Sequence, residues 1–282
     1  MNNIKTAFFG TDEIAVFVLE ELKKENIIPD LIVSTPDTKK GRGMKLTPTP
    51  LKIWSEENNI EVIQPDKLDF NFKEQIGLDW DLFIVTSYGK IVPEDIFTIP
   101  KYETLNVHPS LLPLYRGPSP IESAILDDAL DTGVTIMKID KGVDSGPILN
   151  QKIITFDEWE LKPKVAEKLA REGGQLLAKT IPLWIEGSIE EQDQDDQLST
   201  HTEKISKSDG QLNIQNGDTR KNYLKYLAFQ PWPGVFFFKD GKRIKITDAE
   251  FIPSSDASSE SQGEFLIKKV IPEGKKEQEY KN

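Results

Sequence analysis

The sequence predicts an α/β protein: a parallel-type sheet covered by helices, followed by a small β-rich domain. Two observations carry that prediction. Short apolar runs alternate with segments whose apolar residues recur at helical spacing, and alternation of this kind implies parallel strands with helices on both faces. From residue 208 onward the pattern changes to short alternating runs joined by a turn signal. At 282 residues the chain also exceeds a usual single domain. The expected division is a large domain at 1–187, a linker at 188–207 and a small domain at 208–282.

Ile4 to Phe9 reads as the first strand, and Asp12 can cap a helix whose apolar positions Ile14, Phe17, Val18 and Leu22 fall on one face. Leu31 to Val33 and Leu82 to Val85 are further short strands. Thr104 to Val107 is another, after which Pro109 and Pro113 force an extended path. Ser119-Pro120-Ile121-Glu122 combines a capping box with proline at the first helical position. Beyond Pro163, the residues Val165, Leu169, Leu176, Leu177 and Ile181 predict a long helix, with Gly173-Gly174 weakening its middle. Val235 to Phe238 and Arg243 to Ile246 form a hairpin in which Asp240-Gly241 supplies the turn. Trp159, Trp184 and Phe236 to Phe238 read as core or interface packing.

The chain has no cysteine, which rules out a disulfide framework and thiolate metal sites and fits a reducing, cytoplasmic setting. Met1 to Phe9 is too short and too soon interrupted for a signal peptide, and no apolar run reaches the ~18 to 20 residues a membrane span needs, so no membrane partner is expected. The net charge of −12 argues, taken as a whole, against a nucleic-acid partner. Its distribution is uneven. Acids concentrate between Glu186 and Asp196, as in a solvated linker, whereas Lys39, Lys40, Arg42, Lys45 and Lys52 form a basic cluster. A second basic set, Arg220, Lys221, Lys225, Lys242, Arg243 and Lys245, lies beyond the linker. A basic loop is by itself compatible with simple solvation.

Chemistry is expected at the end of the Thr104 to Val107 strand. Side chains alternate along a strand, so Asn106 and His108 share a face, at the carboxyl end where open α/β sheets bind ligands. Imidazole exchanges protons near neutral pH, and a carboxamide donates to a developing oxyanion without titrating. The pair suits attack on a carbonyl, although a strand-end histidine can equally serve to hold backbone. Asp144 lies in Gly142-Val143-Asp144-Ser145-Gly146-Pro147, a shaped loop that fits either a turn former or a third reacting group. His201, the other of the 2 histidines, is assigned no chemistry.

Asn106-x-His108, Ser110-Leu111-Leu112-Pro113 and Asp144 together resemble the signature of the folate-dependent formyltransferases. Phe8-Phe9-Gly10-Thr11, Gly41 to Pro48, Tyr115 to Ile121, Thr132 to Met137, Lys204 to Gly210, Pro231-Trp232-Pro233-Gly234 and Pro272 to Lys276 are similar, within that group, to the methionyl-tRNA formyltransferase family. Purine-pathway relatives normally open with a glycine-rich phosphate loop, which Gly10-Thr11-Asp12-Glu13 is not. The resemblance implies a Rossmann-like formyltransferase domain and a small C-terminal OB-like β-barrel that supports tRNA binding. Because Pro253 to Gly263 is polar and Ser-rich where barrel strands are expected, the barrel is expected to be abbreviated. It further implies a cytoplasmic, monomeric enzyme that moves a formyl group from 10-formyltetrahydrofolate to the amine of methionyl initiator tRNA without a metal. Asn106, His108 and Asp144 would be catalytic, Ser110, Leu111, Leu112 and Pro113 would line the folate pocket, and Arg42 and Lys45 would meet the tRNA. Sugar-nucleotide N-formyltransferases and formyltetrahydrofolate hydrolases share the catalytic residues and are the alternatives.

Overall fold

A computed structural model describes residues 4–40, 43–254 and 263–281 of the protein. In chain order the elements are β1 (Thr6–Phe9), α1 (Glu13–Lys24), β2 (Leu31–Val33), β3 (Thr38–Lys40), β4 (Lys45–Thr47), α2 (Pro50–Glu57), β5 (Glu61–Ile63), α3 (Phe70–Ile76), β6 (Leu82–Val85), α4 (Glu94–Phe97) and β7 (Thr104–His108). There follow α5 (Pro120–Leu126), β8 (Asp131–Lys138), β9 (Ile148–Thr155), α6 (Lys162–Ile185), α7 (Thr219–Ala228), β10 (Val235–Lys239), β11 (Lys242–Pro253), β12 (Gly263–Pro272) and β13 (Gln278–Glu279). They fall into two compact units. The first comprises Met1–Arg116, Thr132–Ile154 and Ala166–His201; the second comprises Gly117–Asp131, Thr155–Val165 and Thr202–Asn282.

The first unit is built on a seven-stranded sheet in the order β5-β2-β1-β6-β7-β8-β9. The run from β5 to β7 is parallel, as expected. β8 departs from the expectation and pairs antiparallel to β7, His108 lying opposite Thr135. Both faces are buried. Ala7, Phe9, Leu31, Val33, Phe83 and Val85 pack on Phe72 of α3 and on Ile96 and Phe97 of α4, while Phe8, Ile32 and Ile84, pointing the other way, are equally sequestered. This double burial is why the strands read as continuous apolar runs rather than alternating ones.

Asp12 caps α1 as predicted, its Oδ1 accepting from the Ile14 N–H at 3.1 Å, and Lys23 and Lys24 sit in the last turn where the helix dipole favours cations. α6 is unbroken across Gly173 and Gly174, and the cause is packing. A Cβ on Gly173 would stand 2.6 Å from Val107 Cγ1, and one on Gly174 would stand 2.8 Å from the Val18 carbonyl. The two glycines let α6 approach β7 and α1 closely, and that tertiary contact outweighs their low helix propensity. α1 and α6 are also tied at Glu21, whose side chain is 3 % exposed and accepts from Arg171 Nη1 at 3.1 Å, Gln175 Nε2 at 3.1 Å and Lys24 Nζ at 2.6 Å.

In the second unit α7 lies against a four-stranded antiparallel sheet in the order β10-β11-β12-β13. The predicted hairpin is present, with Lys239 opposite Lys242 and both Asp240 (φ 51) and Gly241 (φ 72) at the positive φ that a two-residue turn of this hand requires. The expected barrel takes the form of this antiparallel sheet. The polar Pro253 to Gly263 stretch joins two paired strands, Pro253 being opposite Gly263, and residues 255–262 lie outside the described ones. Trp159 is buried and stacks on Phe156 with ring centroids 5.0 Å apart, and Phe236 and Phe237 are buried as expected, whereas Phe238 is exposed. The capping box at Ser119 is not formed. The Ser119 hydroxyl donates instead to the Glu203 carbonyl at 2.6 Å, and Glu122 pairs with Lys162 at 2.7 Å, because tertiary partners compete for both groups.

Candidate active site

The last residues of β7 present Asn106, half-buried, and His108, 4 % exposed, on one face, as alternation requires. Asp144 reaches the same place from the loop between β8 and β9. It has φ 50, a left-handed conformation that among non-glycine residues aspartate tolerates better than most, and the surrounding loop is held by its own contacts. Asp140 Oδ1 accepts from the Gly142 N–H at 3.0 Å and from Ser145 Oγ at 2.9 Å. Gly146 passes so close to the Lys138 carbonyl that a Cβ would lie 2.0 Å from it. The spatial meeting that spacing alone could not reveal is therefore present: His108 Nδ1 is 3.6 Å from Asp144 Oδ2, and Asn106 Nδ2 is 3.5 Å from Asp144 Oδ1.

The other ring nitrogen of His108, Nε2, is 3.0 Å from the Tyr115 carbonyl. A carbonyl only accepts, so Nε2 carries a proton; a carboxylate also only accepts, so the pair with Asp144 is attractive when Nδ1 is protonated too. The His108 ring thus lies between two acceptors, with the Asn106 amide beside it. Asn106 Nδ2 and the Nδ1 edge of His108 converge on one small region bordered by a carboxylate, an arrangement that can hold a developing oxyanion and move a proton.

The loop after β7 is folded back on its neighbours. Ser110 is fully buried and its hydroxyl donates to the Leu114 carbonyl at 2.6 Å, while Leu112 packs against Met137 and Ile148. Leu111 and Pro113 are half-buried and retain exposed surface. Thr135 Oγ1 donates to the Ser110 carbonyl at 2.7 Å and accepts from the Leu112 N–H at 3.2 Å, and Gln151 Nε2 donates to the Leu112 carbonyl at 2.8 Å. Thr135, Gln151 and the Tyr115 carbonyl were not singled out for these contacts in the sequence. Tyr115 and Thr135 lie in the stretches Tyr115 to Ile121 and Thr132 to Met137 that carry the family resemblance, whereas Gln151 lies in none. Gln194, whose side chain reaches the Asp144 loop, lies in none either.

Lys39 and Lys45 belong to an unanticipated hairpin, β3 with β4, whose strand β4 carries Lys45 exposed between exposed Met44 and Leu46. Arg42 lies outside the described residues. Lys52 sits on α2 and pairs with Asp37 at 2.8 Å, so it is not part of the loop. No group of His, Cys, Asp and Glu among the described residues is arranged to hold a metal ion. No helix among them is long and apolar enough to cross a membrane.

Comparison with known families makes this fold that of a formyl-transferring enzyme. Residues 4–181 match the family description "Formyl transferase", and residues 204–275 match "Formyl transferase, C-terminal domain". Among curated proteins the chain is similar to the methionyl-tRNA formyltransferases of Dictyoglomus thermophilum (40% identical, covering 88% of this chain and 80% of that one) and Natranaerobius thermophilus (32%, covering 97% and 94%). The chain belongs to the methionyl-tRNA formyltransferase family. Solved structures share the fold at lower identity. An N-formyltransferase from Helicobacter canadensis, in complex with folinic acid and dTDP-3-aminofucose, superposes with a TM-score of 0.64 at 19% identity, covering 94% of this chain and 99% of that one. HypX from Aquifex aeolicus in complex with tetrahydrofolic acid gives 0.66 at 15%, covering 95% of this chain and 44% of that one.

Proposed function

We propose that the protein transfers the formyl group of 10-formyltetrahydrofolate to the α-amine of methionyl initiator tRNA, in the cytoplasm and as a monomer. The observation that carries this reading is the extended match to relatives bearing that name, which runs through both the catalytic and the C-terminal segments. The neutral amine attacks the formyl carbon and a carbon–nitrogen bond forms. Asn106 Nδ2 and His108 Nδ1, the ring nitrogen that the Tyr115 carbonyl does not engage, donate to the oxygen as negative charge develops on it. The bond from the formyl carbon to N10 then breaks. Asp144 holds the imidazolium and takes the proton from the attacking amine, delivering it to the departing N10. The products are N-formylmethionyl-tRNA and tetrahydrofolate, and the scheme uses no metal.

Leu111 and Pro113, with Val143 at 60 % exposure beside Asp144, offer apolar surface suited to the flat ring system of a folate. Ser110 and Leu112 act by holding that loop. Arg42 and the exposed Lys45 would meet the phosphates or bases of the tRNA acceptor arm. The deciding experiment supplies 10-formyltetrahydrofolate with methionyl initiator tRNA, uncharged tRNA, an amino-sugar nucleotide or buffer alone. Transfer confined to the charged tRNA is expected. Transfer to the sugar, or release of tetrahydrofolate in buffer, overturns the acceptor while leaving the site chemistry standing.

A further inference from the structure

The acidic run ending at Asp196 has the composition of a solvated linker, and most of it is exposed. Its bonds are those of a strap. Gln192 exchanges both backbone hydrogen bonds with Ile148, at 2.8 and 2.9 Å. Gln194 Nε2 then donates to the carbonyls of Asp144 at 3.0 Å and Gly146 at 2.7 Å, while its Oε1 accepts from Arg116 Nε at 2.9 Å. Arg116, 4 % exposed, also donates through Nη1 to Asp196 Oδ1 at 2.8 Å. Further on, Thr200 takes the Tyr115 N–H on its hydroxyl at 2.8 Å and the Arg116 N–H on its carbonyl at 2.9 Å. Tyr115 is the residue whose carbonyl accepts from His108 Nε2. One segment therefore holds the backbone behind Asp144 and the backbone behind His108.

We propose that Gln194 is a positioning residue for formyl transfer, joining the Asp144 loop to the Arg116 end of the loop that orients His108. The inference rests on His108 and Asp144 being the reacting groups. Residue type supports it: a carboxamide donates twice and accepts once in one plane, which a carboxylate, an ammonium or a guanidinium cannot do. Backbone conformation supports it as well. Asp144 and Tyr115 both have positive φ, 50 and 61, and such residues keep their conformation when surrounding structure over-determines it.

The test uses Gln194→Met, which keeps the size and removes all three bonds, and Gln194→Glu, which keeps the acceptor facing Arg116 and loses both donors. Both should lower kcat by roughly 10- to 100-fold, the effect of a misplacement on the order of 1 Å, with KM for donor and acceptor within about threefold. Asp193→Asn, an exposed neighbour, should match the wild type. A second readout needs no acceptor: the protein has 2 histidines, so the His108 ring resonances can be assigned with His201→Asn and should move in both Gln194 variants. Wild-type kcat together with unmoved His108 resonances overturns the proposal, as does a rise in KM alone. If Gln194→Met does not fold, Gln194→Glu decides. If another acceptor is formylated, moved resonances with lowered turnover on that acceptor retain the inference and overturn only the acceptor.

Discussion

Replacing Gly173 by alanine asks whether the strand that carries Asn106 and His108 is set from behind. A Cβ at 173 would stand 2.6 Å from Val107 Cγ1, about 0.8 Å inside the 3.4 Å at which ordinary contact begins. Val107 lies between Asn106 and His108 and is 5 % exposed; Val134 of the adjacent strand is 3.7 Å from the same point, and a β-branched side chain has little freedom to turn away. The helix itself gains about 1 kcal/mol from alanine, while overpacking costs about 1–3 kcal/mol, so the net change is a loss of about 0–2 kcal/mol. Function should suffer more than stability. If β7 yields by the whole overlap, Asn106 and His108 move by about 0.8 Å and kcat falls roughly 10- to 100-fold. Steady-state formyl transfer and a thermal melt measure the two effects. Adding Val107→Ala removes the clashing methyl and should return kcat most of the way towards wild type. Gly173→Ala with wild-type turnover and a raised melting temperature would refute the reasoning, and so would a double variant no better than the single one.

Removing the amide in Asn106→Ala should lower kcat by roughly a hundredfold or more with little change in melting temperature, and near-normal turnover in a folded variant would sink the oxyanion role. Burial pushes the Glu21 carboxyl up, but hydrogen bonds from Lys24, Gln175 and Arg171 outweigh it and hold the group below its ordinary 4.5. A carboxyl lowered on folding contributes stability that is complete above the unfolded value and lost as pH falls through the folded one. Glu21→Gln should therefore cost about 2 kcal/mol at neutral pH, and the gap from wild type should close in acid below pH 4.5; a gap independent of pH in denaturant melts would contradict this. Arg42→Leu should raise KM for the tRNA and flatten its salt dependence while leaving folate binding intact, and equal loss of both would count against a tRNA contact.

Local chemistry was legible where local chemistry decides the structure. Leu31 to Val33 and Leu82 to Val85 are strands with those bounds, since a doubly buried strand must be apolar throughout, and Asp240-Gly241 turns the hairpin because few other pairs tolerate two positive φ values. Asn106 and His108 share a face because alternation along β7 is obligatory, whereas the arrival of Asp144 depends on β8 running antiparallel beside them, which no periodicity encodes. The β3–β4 hairpin was hidden because its residues are lysine-rich and exposed. Ser119 and Glu122 spelled a capping box but found partners distant in sequence, and Gly173 looked like a weak point until the strand beneath it was known. Gln194 is a polar residue in a polar run, and its three bonds to Arg116, Asp144 and Gly146 are set only by the folded chain.

The cap of α1 has a consequence for which molecules this fold admits. In nucleotide-binding relatives of such sheets, the N–H groups at the first strand-to-helix turn cradle a pyrophosphate. Here the seat is filled from within. Asp12 Oδ1 occupies the Ile14 N–H and its other oxygen accepts from Ser87 at 2.7 Å, while Gly10 is wedged so that even a Cβ would meet Ala15 at 2.6 Å and the Thr86 carbonyl at 2.9 Å. Burial raises this carboxyl above its usual range, against the pull of Ser87 and the backbone, yet the chain's own acid already answers the positive end of the helix. A scaffold with the outline of a nucleotide cradle thereby leaves neither the Ile14 N–H nor room beside Gly10 for a phosphate at that turn.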